Sequence, residues 1–195
     1  MSAPSPLVAA ILLTGGASRR MGRDKASLLV DGTTLAKRTA NLLLTVVDTA
    51  VEVGPGVSGL PSTIEDPLGG GPLVAIVAGR RALRERGHEG AALVVACDLP
   101  LLSERLLILL RDWDAPGSVV PMVGGIPQPL CAKWGANDLE HAAEMVRKGV
   151  RSLRHLVGEP DVVVLDESKW RDVVDEVEFS DIDNPDDARR LGLDL

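Results

Sequence analysis

The chain contains no tyrosine, one phenylalanine and three tryptophans, so aromatics make up only 2% of it. So few rings exclude the stacking platforms on which single-stranded nucleic acids lie. The core must instead come from Leu, Val, Ile and Ala. There are two cysteines, Cys97 and Cys131, and no Cys-x-x-Cys. That excludes a disulfide framework and points to a reduced, cytoplasmic setting. The three histidines have no metal-ligand spacing and read as surface residues. No apolar run reaches the ~20 residues of a membrane helix, and the N-terminus lacks the features of a signal peptide. Basic residues are in deficit, 21 against 28 acidic ones, for a net charge of −7. This balance argues against general nucleic-acid binding. Two phosphate-binding signatures are also missing. Without G-x-x-x-x-G-K-[ST] the chain is not a P-loop NTPase, and without G-x-G-x-x-G it lacks the dinucleotide fingerprint of an oxidoreductase.

What is present begins with Leu7–Leu13, an apolar run expected to be a buried strand. A polar stretch from Thr14 to Lys25 follows, holding Gly15, Gly16, Gly22, Arg19, Arg20, Arg23 and Lys25. Glycines let backbone N–H groups approach a ligand, and bared N–H groups form an anion nest. Cations add charge-assisted hydrogen bonds. A cationic, glycine-rich loop after a first strand is therefore a candidate phosphate site, at the strand end where open α/β sheets bind ligands. A run of 195 residues suffices for a single domain, 1–195, burying roughly 70% of its unfolded surface.

The stretch Leu13–Lys25 resembles the signature L-x-G-G-x-x-x-R-M-G-x-x-K of the MobA-type molybdenum cofactor guanylyltransferases. The matched residues are Leu13, Gly15, Gly16, Arg20, Met21, Gly22 and Lys25. Thr14 stands where that family usually has Ala.

Later segments bear on the same resemblance. Thr33 or Thr34 can cap a helix through Val46, and Val47–Gly54 reads as a strand. Asp66-Pro67-Leu68-Gly69-Gly70-Gly71 leads into a helix with Pro72 in its first turn, running to about Arg86. Gly71–Ile76 resembles the family's G-P-L-x-G-I, with Ala75 for Gly, a segment that favours guanylate over cytidylate. By resemblance, Asp66 helps hold the nucleotide. Ala91–Cys97 is a continuous apolar run, expected to be a central parallel strand, and it ends in Asp98-Leu99-Pro100. Ser103 can cap the next helix, Glu104–Asp112. Strands are expected at Gly117–Met122 and at Gln128–Trp134, joined through Gly124-Gly125, with the returning strand antiparallel. Asn137 or Asp138 is expected to cap the helix that Gly149 closes, and a weak alternation over Val173–Phe179 suggests a last strand. Gly149–Leu156 resembles G-x-R-S-L-x-x-L, and Phe179–Ala188 resembles F-x-[ND]-[IL]-[ND]-T-P-E-D-L. Those two segments put Arg151, Asp181 and Asp183 on the molybdopterin side. Asp181 and Asp183 are acidic where Asn is frequent.

The expected fold is a Rossmann-like three-layer α/β/α sandwich with a mostly parallel sheet and one antiparallel strand. The resemblance implies transfer of GMP from GTP to Mo-molybdopterin, releasing pyrophosphate. It implies Mg²⁺ held by Asp98 and catalysis by Lys25, Arg20 and Asp98. Leu13, Gly15, Gly16, Gly22, Lys25, Asp66 and Asp98 would contact the nucleotide, Leu13 leaning on the base. Molybdoenzyme apoproteins and other cofactor-biosynthesis proteins are the implied partners. Two alternatives remain open: a related cytidylyltransferase or other NTP transferase, and a non-catalytic nucleotide-binding module that delivers the cofactor.

Overall fold

Ala9–Leu13 (β1) alternates its side chains strictly between two cores. Ala10 and Leu12 join one cluster, while Ala9, Ile11 and Leu13 join another. A strand buried on both faces must lie inside a sheet with helices above and below. The computed structural model, which describes residues 8–15, 25–115 and 117–193, has that arrangement.

Leu29–Val30 (β2) and Thr33–Thr34 (β3) form a small hairpin, turned at Asp31 and Gly32, which both have positive φ. Leu35–Val46 (α1) follows, its N-cap Thr34 accepting from the Lys37 N–H. Ala50–Val53 (β4), Ser62–Thr63 (β5), Pro72–Arg84 (α2), Ala92–Ala96 (β6) and Glu104–Asp112 (α3) come next. Ser103 caps α3, accepting from the Leu106 N–H. Val119–Val123 (β7) turns through Gly124-Gly125 into Ile126–Pro127 (β8), then Cys131–Trp134 (β9) and Ala136–Arg147 (α4). Leu153–Val157 (α5), Val163–Leu165 (β10) and Pro185–Arg190 (α6) complete the elements.

The main sheet has the order β10-β7-β9-β6-β1-β4-β5, with β8 beside β7. β9 runs antiparallel to both β6 and β7, and the other strands along that path are parallel, as expected. α1 and α3 cover one face through Ala36, Ala40, Leu43, Leu106, Leu107 and Leu110. α2 and α4 cover the other through Leu73, Ile76, Leu83, Leu139, Ala142 and Met145. From β1 the chain crosses to β4 on one side and later returns through α2 to β6 on the other. The strand order therefore reverses between β1 and β6, and ligands of open α/β sheets bind at such a point.

Several expectations need correction. Val173–Phe179 is not a strand. Asp175 caps a 3-10 turn over Glu176–Phe179, and Phe179 is buried against Trp170. The returning strand begins only at Cys131, because Gln128–Leu130 forms a turn whose Gln128 carbonyl accepts from the Cys131 N–H. α4 is capped by Gly135, not by Asn137 or Asp138. A Cβ at Gly135 would lie 3.1 Å from the Gly117 backbone, and the buried Asp138 is engaged across the layer by the Ser118 hydroxyl. His88 is not on the surface; it is buried, with Nε2 2.9 Å from the Ala91 carbonyl.

Candidate active site

β1 and β6 lie side by side in parallel register, so the residues after each strand emerge together. The Cys97 N–H donates to the Leu13 carbonyl at 3.0 Å and extends the ladder by one bond. Lys25 opens a 3-10 turn, Lys25–Ser27, whose Ala26 is buried. Its Nζ lies 3.2 Å from Asp98 Oδ2 and also donates to Asp183 Oδ1. The ammonium from the first loop and the carboxylate at the tip of β6 thus share one spot.

Asp183 arrives from the far end of the chain. The Ile182 N–H donates to the Asp98 carbonyl at 3.0 Å, and the Ile182 side chain is buried with Leu28, Val30 and Leu35. That anchor brings carboxylate oxygens of Asp98, Asp181 and Asp183 within 4.8 Å of one another. The Asp181 carboxyl is pushed up by burial first and then by the neighbouring Asp183 and Asp98 charges. Burial works against the Lys25 charge, but the hydrogen bond to Asp183 and the charge of Asp98 outweigh it, so its pKa is raised. Lys25 is therefore a permanent cation here.

The donor set suits a hard divalent cation. Oxygen ligands at about 2.1 Å around an octahedral ion stand about 3–4 Å apart, so small side-chain rotations would close the three carboxylates onto it.

The remaining expected residues divide. Gly16, Arg20 and Gly22 lie outside the described residues. The Gly15 N–H, like that of Thr14, donates to the Val53 carbonyl, at 3.2 Å and 3.1 Å respectively. Leu13 is 7% exposed and its side chain belongs to the α2/α4 core. Asp66 is exposed on the loop before α2, next to Glu65, whose carboxylate accepts from the Gly69 N–H. That loop flanks the site, since a Cβ on Gly15 would lie 3.7 Å from Glu65 Oε2. Arg151 backs onto the same end of the sheet, its carbonyl 3.6 Å from where a Gly71 Cβ would be. Its guanidinium folds back to donate to the Val146 and Val150 carbonyls at 2.9 Å and 3.2 Å.

One polar network escaped the sequence reading. Glu52 on β4 is 0% exposed, and Thr14 Oγ1 donates to it at 2.5 Å. A Glu in an otherwise apolar strand was the available signal.

A family model described as the MobA-like NTP transferase domain matches residues 10–164. A probable molybdenum cofactor guanylyltransferase from Opitutus terrae is 33% identical over 186 residues, covering 88% of this chain and 91% of the relative. One of the same description from Mycolicibacterium paratuberculosis is 34% identical over 179 residues, covering 86% and 90%. The crystal structure of molybdopterin-guanine dinucleotide biosynthesis protein A from Archaeoglobus fulgidus superimposes with a TM-score of 0.73 at 22% identity, covering 94% of this chain and 96% of that one.

Proposed function

The chain belongs to the MobA-like NTP transferase family, and from that premise we propose that it transfers GMP from GTP to the terminal phosphate of Mo-molybdopterin. The products are the molybdopterin guanine dinucleotide and pyrophosphate. The observation that carries this reading is the meeting of Lys25 with Asp98, 3.2 Å apart at the point where the strand order reverses. The names of the guanylyltransferase relatives support guanine as the base.

The chemistry needs no covalent nucleophile from the protein. A phosphate oxygen of the acceptor attacks the α-phosphorus in line, and the bond to the β-phosphate bridge breaks as pyrophosphate leaves. The protein supplies alignment and charge. Lys25, held as an ammonium, is placed to move from the carboxylates to phosphate oxygens of the nucleotide. Asp98, with Asp183 and Asp181 beside it, would hold Mg²⁺. Bound there, that ion would neutralise charge developing on the phosphate oxygens. Arg20, Gly16 and Gly22 are assigned to the same triphosphate, Gly15 and Asp66 to the nucleotide's flank, and Arg151 to the molybdopterin side. Asp181 and Asp183, expected on the pterin side, are assigned first to the metal.

Pyrophosphate release from GTP, with Mg²⁺ and loaded molybdopterin as acceptor, tests the reading. Asp98→Asn and Lys25→Ala should each lower kcat by about 10²–10³, the usual loss of an electrostatic element. Near-native turnover in either variant removes that residue's role. A thermal-shift series with GTP, CTP, ATP and UTP decides the base, and preferential stabilisation by CTP overturns the guanylate assignment. Nucleotide binding without pyrophosphate release would instead mark a delivery module.

A further inference from the structure

Gly15 follows β1 and is not a glycine that the backbone requires. Its φ lies outside the left-handed region. A Cβ there would meet the Val53 carbonyl oxygen, Gly54 Cα and Glu65 Oε2 at 3.7 Å each, which is ordinary van der Waals contact. A side chain is therefore missing where the fold would tolerate its first atom. What its absence leaves is a notch on the β4 side of the β1 tip. Gly54 floors the notch with bare backbone, since a Cβ there would lie 2.1 Å from Thr14 Oγ1. Glu52 holds the turn after β4 in place, accepting from the Gly56, Val57 and Ser58 N–H groups at 2.8, 3.1 and 2.8 Å.

Glu65 walls the notch. Its Oε1 accepts from the Gly69 N–H at 3.2 Å, which fixes the carboxylate. Its Oε2 faces Gly15 and accepts from no donor among the described residues. A carboxylate oxygen has two lone pairs to offer, so the notch holds open acceptor capacity. The same negative oxygen repels phosphate. The phosphates of a nucleotide belong instead on the β6 side of β1, where Lys25 meets Asp98. With the phosphates there, the end of the nucleotide left for the notch is the base.

We propose that Glu65 selects guanine, its carboxylate accepting from the N1–H and the N2 amino group, while Gly15 keeps open the space through which the base edge reaches it. This rests on the nucleotidyltransferase reading. Among the four bases, guanine puts two neighbouring donors on one edge. Adenine and cytosine set a ring-nitrogen acceptor beside their amino donor, and uracil flanks its N3–H with two carbonyls. Each of those three brings an acceptor up against Glu65. An acceptor facing a carboxylate is the repulsive element that rejects the wrong base, and the paired donors are the attractive one.

The test measures binding by calorimetry with Mg²⁺ and no acceptor, so it does not depend on Mo-molybdopterin. The parent protein should bind GTP about 10–100-fold more tightly than inosine triphosphate, which lacks the N2 amino group, the range for a hydrogen bond to a charged group. Glu65→Ala should bring the two nucleotides within about twofold of each other. Glu65→Gln should bind xanthosine triphosphate at least about fivefold more tightly than the parent does, because an amide can accept from N1–H and donate to the carbonyl at C2. A residue that only shaped the loop would weaken all nucleotides alike and give no such gain. If Glu65→Ala does not fold, Glu65→Gln decides alone. A preference for GTP over inosine triphosphate that survives in folded Glu65→Ala overturns the inference, as does a parent protein that binds both equally. Either result leaves the nucleotidyltransferase reading standing, since pyrophosphate release does not depend on which residue reads the base. A parent protein that binds no nucleoside triphosphate overturns both, and one that prefers CTP overturns the guanylate assignment and this inference with it.

Discussion

Among the described residues, Lys25 meets two of a group of three carboxylates, and their crowding has consequences at those side chains. Its own pKa is raised, so the stabilisation it gains is present below the ordinary lysine value of 10.5 and is lost only as pH rises through the higher folded value. Between pH 6 and 9 it stays an ammonium and cannot act as a base. The Asp181 carboxyl is pushed up by burial, and the neighbouring Asp183 and Asp98 charges add to that. Replacing it should relieve repulsion when no cation is present. In EDTA at pH 7.5, Asp181→Asn is expected to raise Tm slightly, by up to about 2 °C for an exposed and screened group. The upward shift on adding saturating Mg²⁺ should be smaller than in the parent protein, since one ligand and part of the relieved repulsion are gone. A lower Tm in EDTA would show that Asp181 is held by favourable contacts and not by proximity. The place of Asp98 at a strand tip could be read in the chain because it follows the apolar run Ala91–Cys97, and Lys25 stood out as the last residue of the signature Leu13–Lys25. The meeting of Lys25 with Asp183, 158 positions away, could not, because no local pattern encodes a contact at that separation.

Among the elements, helix ends were the most legible features and close approaches the least. Thr34, Ser103 and Asn184 cap α1, α3 and α6 by bonding to N–H groups two or three residues ahead, a rule local enough to read directly. Asp138 obeys no such rule, because the Gly135–Gly117 contact moved the start of α4 and freed the carboxylate to meet Ser118. Gly79 is similar. It sits inside α2, where a glycine costs about 1 kcal/mol relative to Ala, and nothing in the chain around it explains why. The structure does: a Cβ there would lie 2.5 Å from Ile11 Cγ2, so α2 rides directly on β1. Gly79→Ala should therefore destabilise despite the better helix former, by about 1–3 kcal/mol from overpacking. Urea unfolding of Gly79→Ala, Ile11→Ala and the double variant checks the cause. The double variant should cost clearly less than the two losses added, because Ile11→Ala removes the obstructing methyl. Additive losses would mean the two side chains do not compete for that space.

Across the whole molecule, the last described segment returns to the end of the sheet where Lys25 meets Asp98. The resemblance placed Asp181 and Asp183 on the molybdopterin side, but no pattern in the sequence showed that they meet Lys25 and Asp98. The family match ends at residue 164, yet the segment beyond it supplies Asp181, Asp183 and the buried Ile182 that covers Leu28, Val30 and Leu35. That β1 and β6 lie inside the sheet followed from their being apolar throughout, whereas the strand order did not. The return of the last segment depended on tertiary burial instead, of Trp170 on Phe179 and of Ile182 beside the first loop. Glu52 was equally hidden, since a charged residue inside a buried strand has meaning only once its donors are folded around it. Its effect on global stability has a definite sign. The folded pKa of Glu52 lies below the ordinary 4.5, so its contribution is fully present above about pH 4.5 and is lost as pH falls through the folded value. Glu52→Gln keeps the size but sets amide hydrogens against the N–H donors, and should cost about 2–4 kcal/mol at pH 7, the range for breaking a buried, hydrogen-bonded charge. As pH falls below the folded pKa the parent protein also loses its carboxylate, and the gap between the two unfolding free energies should narrow. Urea titrations from pH 3 to 8 measure that gap directly. A gap that stays constant over the whole range would mean the network depends on the shape of the side chain at residue 52 and not on its charge.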